Sequence, residues 1–348
     1  MAAHRTGAFS NDHSNPSRRT PMTLHRRMLL AAASAALLGF GAGHALAQAA
    51  FPTRPITLIV PTAAGGPTDT VARLVAESMG KTLGQTVVVE NLSGAGGTVG
   101  MGRVAKAAPD GYTIAIWHIA HATAPALYKA LPYHVVNDFD HIGRIADVPM
   151  TMVGRPDLPA QTIAEYLTLL RQEKDKLNYG HAGIGSASHL CMVMFGHQLG
   201  VPLNGIPYRG TGPAMNDLLS GKIDIMCDQT TNTTNQILEK KIKAYAVTTK
   251  APVGALPNLP TLDSSGLKGF DVSAWHAMWA PAGLPADIRE KLNAALLAAL
   301  KDPKVIERFG SLGTAPVAAE RARPEALKAH LAEETQRWGE ALKGITAN

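Results

Sequence analysis

Apolar residues along the chain fall in short β-rich runs that alternate with helical stripes. Residues 56–60 (I-T-L-I-V) form one run, closed by Pro61. After A-A-G-G-P-T-D the apolar positions Val71, Leu74, Val75 and Leu83 recur at helical spacing. The pattern predicts strand, loop, helix. It repeats with a strand at 86–90, a glycine loop at 91–97, a helix at 98–107, a turn at Asp110-Gly111 and a strand at 112–117. Past a polar break near Met150 a second module follows the same grammar. It has a strand at 150–153, a helix at 162–173, a strand at 177–180, a Gly/Ser loop opening a helix at 188–199, a helix at 214–219, and strands at 223–228 and 244–249. The Pro-, Gly- and Ser-rich stretch 252–269 reads as a connection, and 272–279 as a strand returning to the first module. Ile288, Leu292 and Leu296 share one helix face, and Leu327, Leu331, Trp338 and Leu342 share another. Both faces are expected to pack as core.

Repeated βα units predict an α/β fold with a mostly parallel sheet covered by helices. The two modules imply two lobes, 48–150 plus 273–348 and 151–272, with a ligand cleft where strand ends and helix starts meet. A hinge is expected where the chain crosses, near Pro149 and Ser273.

The first 47 residues read as an address. A polar stretch ends at His25-Arg26-Arg27, an apolar run covers 28–40, and Ala45-Leu46-Ala47 supplies the small residues for cleavage. That run is too short to span a bilayer, and no later stretch is long enough. The expected mature protein starts near Gln48 and is exported, with Met22 an alternative start. Arg26-Arg27 only weakly resembles a twin-arginine signal, so the general export route is expected.

The chain holds 33 Lys+Arg and 27 Asp+Glu, a net charge of +6. Arg5, Arg18, Arg19, Arg26, Arg27 and Asp12 all precede residue 48, which leaves 28 basic against 26 acidic residues in the remainder. Without a basic run, no nucleic-acid partner is expected. The two cysteines, Cys191 and Cys227, are equally compatible with a disulfide and with two buried thiols. Neither has a companion at metal-ligand spacing.

Three loops carry the candidate chemistry. Each puts backbone N–H groups at a helix start, where unpaired donors and the positive dipole end hold an anion without a cationic side chain. In the first, Gly65-Gly66 allows close backbone approach, Pro67 suits a first helical turn, and Thr68 and Asp69 add a hydroxyl and a carboxylate; Asp69 is more often a cap than a ligand contact. The second, Ser93 to Gly100, has the spacing G-x-G-x-x-x-G but lacks the position and the ribose-binding acid of a dinucleotide site. The third, G-I-G-S-A-S-H from Gly183 to His189, places Ser186, Ser188 and His189 at a helix start. It lacks the G-x-S-x-G nucleophile elbow, so capping outweighs hydrolysis. His118 and His121 are three apart with no third ligand, so zinc is not expected, whereas one of them contacting a ligand is. The run from Asp224 to Asn235 leaves a strand and becomes rich in hydroxyls and amides, and Asp228 there is placed to meet an ammonium group.

Several blocks together resemble a known family: P-T-A-A-G-G-P-T-D from Pro61, V-V-V-E-N-L-S-G-A-G-G from Val87, P-D-G-Y from Pro109, Y-R-G-T-G-P-A-M-N-D-L from Tyr208, L-P-T from Leu259 and W-A-P-A-G from Trp279. They resemble, in order and over the whole mature chain, the Bug receptors, the periplasmic substrate-binding components of tripartite tricarboxylate transporters. The resemblance implies a type II periplasmic-binding-protein (Venus flytrap) fold, two lobes closing on a small carboxylate, and membrane permease subunits as partners. It also implies no catalysis, no metal and no cofactor, and a monomer is expected. C-D-Q-T-T-N-T-T from Cys227 and Trp117-His118 look like the branch that binds aspartate or related dicarboxylic acids. Thr62 departs from the aromatic that many members carry after the proline. The expected ligand-binding set is Ala64, Gly65, Gly66, Thr68, Asp69, Gly96, Gly97, His118, Ser186, Ser188, His189, Tyr208, Asp228 and Thr230. The rival expectations are a sensor subunit presenting the ligand to a receptor kinase and an exported hydrolase.

Overall fold

The computed structural model describes residues 51–343. The expected signal peptide, its cleavage site and the alternative start at Met22 lie outside the described residues. β1 (Ile56–Val60) pairs in parallel with β2 (Val87–Asn91) on one side and β3 (Thr113–His118) on the other. Ile56, Leu58, Val60, Ile114 and Ile116 enter one apolar cluster, while Ile59, Ala115 and Trp117 enter another on the opposite face. Strands buried on both faces need apolar residues at nearly every position, so these runs do not alternate.

Helices cover the strands as the stop and start residues dictate. α1 (Pro67–Leu83) begins after an extended Gly66 with Pro67 in its first turn and stops at Gly84, whose φ of 67° is left-handed. α2 (Thr98–Ala105) follows the glycine loop. α3 (Ala120–Leu127) occupies the stretch that the sequence leaves as loop or helix start around His121.

β4 (Phe139–Gly154) is one strand of 16 residues, where the sequence predicts a polar break before Met150. Asp140, Arg144 and Asp147 produce the polar signal, and one another together with distant partners neutralise it. Arg144 and Arg321 both pair with Asp147, and Asp140 accepts the Leu284 N–H at 2.8 Å. The second half then adds α4 (Ile163–Glu173), β5 (Asn178–His181), α5 (Ala187–Leu199), β6 (Asn204–Pro207), α6 (Thr211–Leu219), β7 (Ile225–Gln229), α7 (Thr230–Leu238) and β8 (Lys243–Val247). β9 (Ser273–Pro281), α8 (Ala286–Ala299), α9 (Pro303–Ser311), β10 (Ala315–Pro316) and α10 (Pro324–Ala341) complete the described chain.

The strand order is β2-β1-β3-β9-β4-β7-β5-β6, with β8 and β10 also paired to β4. The flanks β2-β1-β3 and β7-β5-β6 are parallel, but β9 and β4 are antiparallel to each other and to their outer neighbours. This corrects the expectation of a mostly parallel sheet. One connecting strand leaves the first half and the other returns to it, so the two run in opposite directions through the centre. Cys191 in α5 and Cys227 in β7 form a disulfide with Cα atoms 6.1 Å apart, which decides between the two readings of these residues. Among the described residues no helix is long and apolar enough to cross a membrane.

Candidate ligand-binding site

Four helix starts meet at one cavity. α1 contributes Gly66, Pro67 and Thr68, and α5 contributes its cap Ser186 with Ala187 and Ser188. α6 adds Thr211, and Gln229 comes from the N-cap of α7. Thr62, His118, Ala182 and Asp228 complete the wall. Each start leaves backbone N–H groups unpaired and carries about half a positive charge, so four together make an anion site from neutral parts. Among the described residues no Lys or Arg lines it. Its space for the centre of a water-sized sphere is about 10 Å³, close to that of a single water. A wider depression of about 440 Å³ lies on the surface between α1 and α9, where Lys81 and Lys304 face Glu77 and Asp302.

On the first wall Thr68 Oγ1 lies 3.1 Å from Nε2 of the buried His276. The His118 ring stacks on Trp117 and meets His276 edge-on, with ring centroids 5.7 Å apart. His118 Nδ1 accepts the Ala120 N–H at 3.1 Å, so the proton of this neutral ring sits on Nε2. Burial, reinforced by the neighbouring His276, holds the His118 pKa well below that of a free histidine.

On the second wall Ser186 caps α5 by accepting the His189 N–H at 3.3 Å, and its hydroxyl lies 3.1 Å from that of Ser188. Ser188 also accepts the Ala182 N–H at 3.0 Å. Asp228 Oδ2 accepts from Asn232 at 2.6 Å, while Asp228 Oδ1, Gln229 Oε1 and Thr211 Oγ1 are buried without a hydrogen-bond partner. Burial pushes the Asp228 carboxyl up to about 6, against the lowering effect of Asn232, the Gln229 backbone and the nearby Thr211.

Six of the residues expected from sequence line the cavity: Gly66, Thr68, His118, Ser186, Ser188 and Asp228. The others stand elsewhere. Ala64 and Gly65 lie on the exposed side of their loop, and Asp69 turns back to accept from Gly65 N–H, Asn91 and Arg73. Burial alone would raise the Asp69 pKa, but these bonds outweigh it and hold the group below the usual carboxylate range. His189 accepts the Gly185 N–H at 3.3 Å and is held down to about 4 by burial and by His181. Tyr208 donates to Asp217 at 2.8 Å, and Thr230 to the Gly313 carbonyl at 3.3 Å.

Gly97 packs under Trp117, where a Cβ would come within 2.2 Å of the indole. Gly96 meets the opposite loop, and a Cβ there would lie 2.3 Å from both the Ile184 carbonyl and the Tyr128 hydroxyl. Beside it Tyr128 donates to Ile184 O at 2.9 Å and Thr123 to Gly185 O at 3.2 Å. Ala63 N–H donates to Arg209 O at 3.0 Å, next to the close approach of Gly66 to Gly212. The cavity is also lined by Thr62, Pro67, Ala182, Ala187, Thr211 and Gln229, which are outside the expected set; of these Thr211 and Gln229 bring new polar side-chain atoms without partners. The run Gly210-Thr211-Gly212, a hydroxyl between glycines at a helix start, is a readable signal for Thr211, and Gln229 lies inside the hydroxyl- and amide-rich run from Asp224 to Asn235.

Comparison with known proteins adds to this geometry. Residues 71–346 match the tripartite tricarboxylate transporter family receptor model. A UPF0065 protein encoded in the TAR-I ttuE-ttuC' intergenic region of Agrobacterium vitis is 53% identical over 298 residues, 86% of each chain. The structure of the periplasmic binding protein BugD superposes with a TM-score of 0.83 at 52% identity, covering 84% of this chain and 98% of BugD. MatC from Rhodopseudomonas palustris, solved with bound malate, superposes with a TM-score of 0.81 at 40% identity, covering 84% of this chain and all of MatC (100%). The fold is that of the type II periplasmic binding proteins, and the chain belongs to the tripartite tricarboxylate transporter receptor family, the Bug receptors.

Proposed function

We propose that this chain is an exported receptor that captures a C4 dicarboxylate, aspartate or a close analogue, and presents it unchanged to membrane permease subunits. The observation that carries the reading is the meeting of four helix starts at one cavity lined, among the described residues, by no cation. Neutral donors of this kind hold a carboxylate without a cationic side chain. The two walls ask for different ligand groups. Thr68, His118, Ser186 and the backbone donors suit a carboxylate, whereas the unpartnered Asp228 Oδ1 and Gln229 Oε1 are acceptors that suit an ammonium or hydroxyl. An amino or hydroxy dicarboxylic acid carries both kinds of group, and the malate bound by MatC is a hydroxy dicarboxylate.

A cavity of about 10 Å³ is too small for such a molecule, so capture requires the walls to part and close again. The two lobes divided near Pro149 and Ser273 supply that motion. The expected N-terminal signal, cleaved near Ala47, directs the receptor to the periplasm.

The test is a thermal-shift screen with L-aspartate, L-malate, succinate, adipate and citrate, followed by calorimetry. A ligand at about 100 times its Kd stabilises the folded state by about 2.7 kcal/mol, an easily read shift. A transition moved by L-aspartate or L-malate without turnover is the expected result. A transition unmoved by every acid but moved by an ester or a nucleotide would overturn the proposal.

A further inference from the structure

His276 does not line the cavity, yet it touches a group that does. It lies on β9 directly opposite His118 of β3 and Ala146 of β4, fully buried, with Nε2 3.1 Å from Thr68 Oγ1 and with Nδ1 bonded to nothing. Burial holds this ring down to about 3, so it is neutral and carries one proton on one of two nitrogens. With the proton on Nδ1, a buried N–H would be left without an acceptor. With the proton on Nε2, that N–H is satisfied by Thr68 and only a lone pair is left bare at Nδ1. An orphaned buried donor is the rarer and costlier of the two.

The tautomer decides what Thr68 offers the cavity. A threonine hydroxyl has a single proton. If His276 Nε2 were bare, that proton would be drawn to it and only lone pairs would face an anion. If Nε2 carries hydrogen, Thr68 accepts from His276 and its own proton is free to point into the cavity. We infer that His276 is a positioning residue that makes Thr68 an obligatory hydrogen-bond donor to the ligand's carboxylate, while His118, locked by the Ala120 N–H, offers a second donor beside it. The inference rests on reading the cavity as a carboxylate site, but its first half, the tautomer, does not depend on any ligand.

Two measurements test it. Long-range proton–nitrogen correlation on the ligand-free protein reports which imidazole nitrogen is protonated, with the His276 signals assigned by their loss in His276→Gln. An Nε2–H tautomer is expected, and an Nδ1–H tautomer overturns the inference whatever the protein binds. The second is a double-mutant cycle titrated with L-aspartate and L-malate. Thr68→Val and His276→Met are each expected to weaken binding about tenfold, the effect of one hydrogen bond to a charged group. The double variant is expected to lose the same tenfold if His276 acts through Thr68 and not through its edge contact with His118. His276→Gln, which keeps an N–H at the Nε2 position, is expected to bind within about threefold of the unmodified protein, so a loss in His276→Met from disturbed packing is recognised. Losses that multiply to about a hundredfold in the double variant would show an independent structural role and overturn the inference. If the unmodified protein binds neither acid, the ligand reading fails while the tautomer measurement still decides the His276–Thr68 relationship.

Discussion

Pro149 of β4 stands opposite Ser273 of β9, the last pair in a ladder that begins at Phe139 and Pro281. The next residue, Met150, faces Gln229 of β7 instead. β4 therefore changes partners within one peptide unit, and the new partner carries a cavity-lining residue. A strand that belongs to both halves of the sheet allows them to twist about that point while its hydrogen bonds on either side stay intact.

The proposed closure about this point is testable at the opposing loops. Tyr128→Phe removes the bond to the Ile184 carbonyl, worth about 1 kcal/mol, and is expected to weaken ligand binding about fivefold without lowering the stability of the ligand-free protein by a comparable amount. Scattering should show the radius of gyration falling on ligand addition, and falling less for Gly96→Val. An unchanged affinity in Tyr128→Phe would mean that this contact plays no part in closure.

The disulfide ties α5, which presents Ser186 and Ser188, to β7, which presents Asp228. It joins residues 36 apart in sequence, for which the chain-entropy account gives about 4 kcal/mol of stabilisation. Replacing both cysteines with alanine is expected to lower the urea-unfolding free energy by about 2–4 kcal/mol. Mass spectrometry without reductant should find the peptides of Cys191 and Cys227 joined, and free thiols at both positions would remove the basis of this expectation.

Asp228 costs stability at neutral pH. Its folded pKa is about 6 against 3.8 for an unperturbed aspartate, so between those values the folded protein holds a proton that the unfolded chain has lost. Stability contributed by this group is complete below about pH 4 and is lost as pH rises through 6, by up to about 3 kcal/mol. Asp228→Asn should therefore match the unmodified protein near pH 4 and exceed it at pH 7. It should also weaken L-aspartate more than succinate. A stability difference that is the same at both pH values would contradict the first expectation, and equal affinity losses the second.

Buried histidines act in the opposite direction. Burial lowers His121 and His276 to about 3, and His141 and His189 to about 4, from an ordinary 6.5. The unfolded chain takes up protons that the folded protein refuses, so stability falls as pH drops below 6.5, by roughly 1.4 kcal/mol per pH unit for each ring. The thermal midpoint is expected to fall steeply between pH 6.5 and 4. A flat profile there would mean that these rings titrate normally.

What could be read from the sequence was what is local. β1 and β3 were legible because both faces are buried and their apolar runs are continuous. Gly66, Thr68, Ser186 and Ser188 were legible as cavity residues because glycines and hydroxyls gather at helix starts that also face a cleft, although capping alone, the role Ser186 does play, would produce the same pattern. Direction was not legible. Asp69 and His189 sit in the same loops but turn inward to backbone N–H groups four residues earlier. Nor could long-range compensation be read: Asp147 looks like a break in β4 until its partner Arg321, 174 residues away, is known. The antiparallel centre was hidden for the same reason, because periodicity marks a strand but not the way it points.

In the proposed reading, charge recognition at the meeting of four helix starts rests on main-chain amides, which only a substitution to proline deletes. Side chains such as Thr62 and Gln229 then set how large a guest fits, and they are free to change without loss of the anchor. On the proposed function, substitution at these two positions would retune the scaffold from one organic acid to another while its affinity for a negative end group persists.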